Sequence, residues 1–543
     1  MLIKVDQFAG MTEAVSTRLL QEKFATKAVN CRVDRGQLEP LRANSDSIRS
    51  LPYGTKTIYK YAGQHWFTWN KDVDVAKVPT PYDVTDRIVY TGDGFPKQTR
   101  NDVALGVNNQ VNGWYRLGVP APSQRPDAVL VGEALPEEDE QFREELIYYV
   151  FTYVTGWGEE GPPSSRSNPI YWKAGQNIDV TLDAPLPSGG YNWASGLKRI
   201  YRSNAGTQSA AFQYVGEIPI SQTVFEDRTE WDELGETIPS VLWDVPPDDN
   251  TTRYPSGQML GVRTLASGAL VGFSGNTLVY SVPYLAYAWA YQYPVKDKIV
   301  AIEVTSTGVL VATDGRPAMA IGFDPQSIVV QEVDEYQACV SKRSMVDMGE
   351  YAIYASPDGL VGMENGSVEV LTRGLFRPEQ WQRFKPDTIH GYRWENKYVG
   401  FYQKDGQQGG FIFTPGDQHN AFVELDFYAD AGFYDSTEDK LYLSIGDQLV
   451  QFDHDGPVQY TWTSKDFELP RPTPLNCMQV IADSYPVNIS LVRDGVAQPY
   501  VVDSSDPIRI AAGRAKTWRF TINSDKHVHV VAIGSSMSEL ANA

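Results

Sequence analysis

The chain has 543 residues, 42% of them hydrophobic and 21% charged, with 31 Tyr, 13 Trp and 21 Phe, which excludes general disorder and allows about three domains of ordinary size. Its 47 basic and 68 acidic residues leave a formal net charge of −21, which argues against a surface made to grip phosphate backbones through Lys and Arg. Cys31, Cys339 and Cys477 are odd in number and scattered along the chain, so reduced thiols are expected rather than a disulfide framework, and no CxxC pair exists to hold zinc.

The first residues, MLIKVDQFAG, lack the cationic start and apolar run of a signal peptide. Residues 12 to 30 carry Leu19, Leu20, Phe24, Ala28 and Val29 at spacings that can share one face, which predicts a short N-terminal helix stopped by the turn Asp34-Arg35-Gly36. From there the composition is strand-like. Thr57 to Tyr61 and His65 to Trp69 flank Ala62-Gly63 and predict a hairpin. Proline clusters at Val119 to Pro126 and Val245 to Pro247 bracket six short strand-like runs, which predicts an inserted β-sandwich. The most apolar aromatic stretch, Leu285 to Ala290, is much shorter than the roughly 20 residues of a membrane-spanning helix, so no span is expected.

After the second proline cluster, turn signals recur at Ser274-Gly275-Asn276, Thr313-Asp314-Gly315, Pro357-Asp358-Gly359, Lys404-Asp405-Gly406 and Asp455-Gly456. Short antiparallel strands with a period of about 40 to 50 residues are the mark of propeller blades. The expected fold is therefore mainly β: a β-propeller of about five to seven blades, a sandwich grafted into it, and a small C-terminal β-sandwich after the break at Leu469 to Pro472. The expected boundaries are 1–124 for the helix and first propeller strands, 125–246 for the insertion, 247–470 for the remaining blades, and 471–543 for the C-terminal domain.

No nucleophile elbow, phosphate loop or zinc-helix motif occurs, so no catalytic, cofactor-binding or metal-binding residue is assigned and no enzyme activity is expected. Three weaker patterns remain. Asp72-Val73-Asp74 puts two carboxylates on one strand face, where a hard cation could bridge them, but an outward polar face opposite Val73 and Val75 is the simpler reading and needs no ligand. Asp453-His454-Asp455-Gly456 offers three ligand types but falls where a turn is wanted. His527 and His529 share a strand face, but a third ligand or a symmetry axis would have to complete a metal site. The densest charge run, Glu133 to Glu145, holds seven acids and one Arg and is expected as a solvated loop between sandwich strands, with a patch that repels DNA or meets a basic partner as the functional alternative.

Several strings resemble a family of phage and prophage virion proteins similar to the nozzle proteins of short-tailed phages. They are Ala28, Asn30, Gly36, Leu38 and Pro40 in AVNCRVDRGQLEPL, then TGDGFPK at 91–97, YRLGVPAP at 115–122, the segment 338–361, HGYRWENKYVGFY at 390–402 and SKDFELPRP at 464–472. YVFTYVTGWGEEGPPS at 149–164 and KRIYRS at 198–203 resemble a fibronectin type III module. The resemblance implies a non-enzymatic virion tail component, assembled in the bacterial cytoplasm as a homo-oligomeric ring, most simply a hexamer. Its neighbours would be portal, adaptor and fibre or spike proteins, and double-stranded DNA would pass through it without sequence-specific contact. No cofactor is implied. A receptor- or glycan-binding tail protein and a polysaccharide depolymerase are the alternatives.

Overall fold

In the computed structural model the described residues are 1–33, 35–81, 83–105, 111–204, 211–416 and 421–541. They form mainly small antiparallel sheets, and the chain divides into two compact units, one of residues 1–72, 297–321 and 330–543, the other of residues 73–296 and 322–329.

In the second unit, Asp74–Lys77, Ile88–Thr91, Lys97–Thr99 and Tyr115–Arg116 make a four-stranded meander. Leu260–Thr264, Leu270–Ser274, Thr277–Val282 and Leu285–Pro294 make another. The two sheets share a core of Ala76, Val89, Val262, Leu270, Val279 and Trp289. Between them in sequence lies the sandwich: Asp127–Val131, Asn177–Thr181 and Val224–Asp227 form one sheet, and Tyr149–Val154, Leu197–Ser203 and Phe212–Pro219 the other. Alternate residues point inward, so Ala128, Ile178 and Val180 meet Tyr149, Phe151, Tyr153 and Ile200 in a separate core. The sandwich is held to the first meander by polar contacts: Arg87 pairs with Glu159, whose second oxygen accepts from Gln98 Nε2 at 3.0 Å.

In the first unit the meanders continue with Val346–Asp347, Ala352–Ser356, Gly359–Glu364 and Ser367–Val370, then His390–Trp394, Lys397–Lys404, Gln407–Thr414 and Ala421–Leu425. Ala431–Asp435, Lys440–Ile445 and Gln448–Gln451 are completed by Arg49–Ser50 from near the N-terminus, with Gln448 opposite Ser50. Turn chemistry explains the tight connections. Lys404 pairs with Gln407 across Asp405 (φ 53) and Gly406 (φ 76), the double left-handed pair of a two-residue hairpin. Glu395-Asn396 makes the same turn without glycine, which hides it in the sequence.

The expected hairpin forms, with Thr57 opposite Trp69 and Tyr61 opposite His65. Its Ile58 and Trp66 pack on Ala431, Tyr442 and Leu449, and Lys60 Nζ reaches Asp435 Oδ2 at 2.9 Å and Glu438 Oε1 at 2.5 Å. Burial by itself would raise the Asp435 carboxyl, but hydrogen bonds from Thr437 and Lys60 hold it down at about 2. A depressed carboxyl stabilises the fold above its ordinary pKa and loses that contribution as pH falls toward the folded value. Acid denaturation of the native protein should therefore include a loss between about pH 4 and pH 2 that is absent in Asp435→Asn. Matching acid profiles for the two proteins, measured by near-ultraviolet circular dichroism, would refute the assignment.

Two expectations are corrected. Residues 12–26 form turns and isolated bridges, not a helix, and Lys27–Val29 is a strand. The reason is tertiary: Ala25 N donates to Gly10 O and Thr26 N to Thr463 O, so two amides that interior helical turns would use are bonded outside the segment. Leu19 is exposed, which removes it from the expected apolar face. Of the predicted stop signal, Asp34 lies outside the described residues.

Residues 471–543 contribute strands to two sheets: Cys477–Ala482, Ile508–Arg509 and Val528–Gly534 join Leu2–Val5 in a four-stranded sheet. Val487–Arg493, Val496–Val502 and Arg514–Ser524 belong to one ten-stranded sheet with 390–425, joined through Lys27–Val29 and Tyr460–Thr463. Finally, Asp455-Gly456 closes no hairpin between its flanking strands. Gln448–Gln451 pairs with Lys440–Ile445 and Arg49–Ser50, while Tyr460–Thr463 pairs with Lys27–Val29 and Arg514–Ser524. The chain at 41–45 fills the gap, with Ala43 N donating to Gly456 O and Val458 N to Leu41 O.

Candidate functional site

The structure separates the Asp72-Val73-Asp74 carboxylates by partner. Only Asp74 lies in a strand, and it accepts from Arg263 Nη1 at 2.9 Å and Gly261 N at 3.2 Å. Asp72 accepts from Lys342 Nζ at 3.0 Å. Each charge has its own cation, so the bridged hard-cation site is not built.

In the second pattern, Asp453 sits in a left-handed turn conformation (φ 53). Its carboxylate is occupied by Arg32 and by Arg42 N at 2.7 Å. Arg32 also pairs with Glu395 at 2.8 Å and lies 4.6 Å from the Trp394 ring centroid. His454 Nδ1 meets its neighbour Asp455 at 2.7 Å. The motif joins a turn to the Arg32 side chain and forms no group of three convergent ligands among the described residues.

Most of the acidic run, through Arg143, lies in the loop between Asp127–Val131 and Glu144–Ile147, while Glu144 and Glu145 belong to the second of these strands. Glu133, Glu137, Glu138, Asp139, Glu140 and Glu144 are exposed, and none has an ion pair among the described residues. Such a surface repels polyanions at short range and is screened by salt.

The histidine pair is where the structure adds most. Cys477–Ala482 pairs with Val528–Gly534, but the register shifts between Ile481, opposite Val530, and Ala482, opposite Val528. His529 is thus the extra residue of a β-bulge, a device that re-aims a side chain. Asp483, in the turn just after Cys477–Ala482, donates its N–H to His527 O at 3.1 Å. Its carboxylate then lies between the rings, with Oδ2 2.9 Å from His527 Nδ1 and Oδ1 2.6 Å from His529 Nε2. The ring centroids are 4.2 Å apart. Hydrogen bonding to the two histidines, His529 foremost, draws the Asp483 carboxyl below its ordinary range. The missing third ligand was invisible in sequence because Asp483 stands 44 residues from His527. Its only local signal is an acid placed at a strand end before the turn Ser484-Tyr485-Pro486.

Other reactive side chains are structural. Burial pushes the Cys339 thiol up to about 12, which leaves it protonated and unreactive. His390 is fully buried with Nδ1 2.9 Å from the Tyr392 hydroxyl, and burial lowers its pKa well below the usual imidazole value. A cleft of ≈ 540 Å³ on the sandwich is lined by Arg143, Trp172, Arg202, Asp227 and Trp231. Arg143 stacks 4.8 Å from the Trp231 ring centroid, and Trp172 Nε1 donates to Gln176 O at 2.7 Å. The cleft is predominantly polar.

No protein-family model and no curated protein matches this chain. Among solved structures, YCF48 from Cyanidioschyzon merolae is 11% identical, with 83% of this chain and 98% of that one covered at a TM-score of 0.23. A gluconolactonase from Xanthomonas campestris, XC5397, is 9% identical, with 45% and 82% covered, also at a TM-score of 0.23. Likenesses this weak carry no conclusion about activity. No helix among the described residues is long and apolar enough to cross a membrane.

Proposed function

We propose that this chain is a non-enzymatic component of a bacteriophage tail, the nozzle ring through which DNA leaves the head. The observation that carries the reading is the closure of the 431–451 meander by Arg49–Ser50. Completing the last sheet of a repeat with a strand from the start of the chain is how a ring of blades protects its edges. The reading takes as blades the meanders of 74–116, 260–294, 346–370, 390–425 and 431–451 with Arg49–Ser50, with the 57–69 hairpin as an accessory. It takes the 127–227 sandwich as a fibronectin type III-like module grafted between two blades. The string resemblance to phage virion proteins points the same way.

In this reading about six copies repeat one heterologous interface until the ring closes. The net charge of −21 keeps phosphates hydrated and mobile, where a basic lumen would hold DNA through counterion release. The grafted module projects a docking surface for fibres or cell-surface sugars. Portal and adaptor proteins adjoin the ring in the virion.

Light scattering and negative-stain imaging of the purified protein, alone and with its virion neighbours, are expected to reveal rings with an axial hole near duplex-DNA width. A trimeric spike, or a monomer that binds host glycan and never closes into rings, would replace this reading with receptor binding. Release of reducing ends from host polysaccharide would replace it with depolymerisation.

A further inference from the structure

We propose that Asp483, His527 and His529 form a binding site for a divalent transition-metal ion of the Zn²⁺ class, independent of any role in a tail. Among the described residues this is the one group of three or more possible ligands whose ligand atoms converge, all lying within 4.8 Å of one another. Two imidazoles and one carboxylate match the donor preference of zinc and its neighbours, whereas Ca²⁺ and Mg²⁺ select oxygen ligands. Donors about 2.0–2.2 Å from an ion stand roughly 3.0–3.5 Å from one another. The present contacts of 2.9 and 2.6 Å reach that spacing by small side-chain rotations.

The second ring nitrogen of His527 supplies an independent observation. His527 Nε2 is buried without a hydrogen-bond partner, and it lies 3.8 Å from Glu39 Oε1. With the proton on Nδ1, donated to Asp483, a lone pair on Nε2 faces the Glu39 carboxylate, an arrangement of acceptor against acceptor. A metal on Nδ1 moves the ring proton to Nε2 and aims it at Glu39. That carboxylate then orients the ligating imidazole, the support that metal-bound histidines regularly have. Glu39 is placed there by the bridge between Leu38 and Val528, whose N–H groups donate to each other's carbonyls at 3.4 and 2.9 Å.

The ion would tie three separate pieces of chain together: the bulged C-terminal strand, the turn after Cys477–Ala482, and, through Glu39, the strand Glu39–Pro40. Asp483 is 62% exposed at its side chain, so solvent reaches the remaining coordination position, as in zinc sites with three protein ligands.

The test titrates ZnCl₂ and CoCl₂ into the full chain after EDTA treatment, by calorimetry and visible absorption. One equivalent of Zn²⁺ per chain, a d–d band from Co²⁺ and an upward shift of the thermal midpoint are expected. Asp483→Asn, a surface change that removes a charge but little volume, should weaken Zn²⁺ binding about tenfold or more and abolish the thermal shift while leaving the circular dichroism unchanged. His529→Ala should remove the Co²⁺ band. Absence of saturable Zn²⁺ binding by the native chain, or unchanged affinity in Asp483→Asn, would overturn the site.

Discussion

Asp227→Ala is expected to melt the 127–227 sandwich in a separate early transition, at a loss of about 3–5 kcal/mol. The Asp227 side chain is fully buried and opposes Arg202 Nη1 at 2.8 Å. The same oxygen accepts from the Tyr149 hydroxyl at 2.6 Å, and the other accepts from Thr229 N at 2.9 Å. Burial and the Asp227 charge hold the Tyr149 phenol well above its ordinary pKa, so it remains a donor. Removing the carboxylate leaves the Arg202 guanidinium buried without its counter-charge, which is where most of the loss arises. Asp227→Asn preserves shape but not charge and should fall between Ala and native. Because the sandwich has its own core, the damage should stay local. Differential scanning calorimetry that finds one unshifted transition in Asp227→Ala would refute this account.

Trp462→Ala should destabilise the first unit by about 3–5 kcal/mol, a large share of the 5–15 kcal/mol available to most folds. Trp462 is fully buried on the strand Tyr460–Thr463. It meets Phe8 edge-on at 5.0 Å and Phe520 at 5.8 Å, and its Nε1 donates to Ala9 O at 3.1 Å. One side chain therefore joins the N-terminal segment to the long sheet by packing and by a hydrogen bond. Ala leaves a cavity and an orphaned carbonyl, whereas Trp462→Phe keeps most of the ring area and should lose only about 1–2 kcal/mol. Urea unfolding separates the two, and equal midpoints for native and Trp462→Ala would show that the contact carries no stability.

Local chemistry made much of the β-structure legible. Apolar and aromatic residues in short runs, with Ser274-Gly275-Asn276 or Lys404-Asp405-Gly406 between them, state both a strand and the hairpin that ends it, because left-handed backbone is cheap at Gly and Asn or Asp. Free cysteines and the loop at Glu133 to Glu145 followed from counting and charge. What local chemistry does not carry is the partner of each backbone amide. Residues 12–26 have a helical pattern, yet Gly10 and Thr463 supply the carbonyls that take the N–H groups of Ala25 and Thr26.

The same limit governs the candidate site. His527 and His529 announce themselves two residues apart, but the ligand between them comes from the turn after the neighbouring strand, beside a bulge that shifts the register by one residue. Composition and turn residues alone determined a mainly β chain, acidic and without a recognisable catalytic motif. Tertiary structure decided which sheet takes the C-terminal segment, which cation takes each buried carboxylate, and that Asp483 stands between two histidines. The physical reason is that strand pairing and ion pairing are chosen among groups far apart in sequence, by geometry that only the folded core imposes.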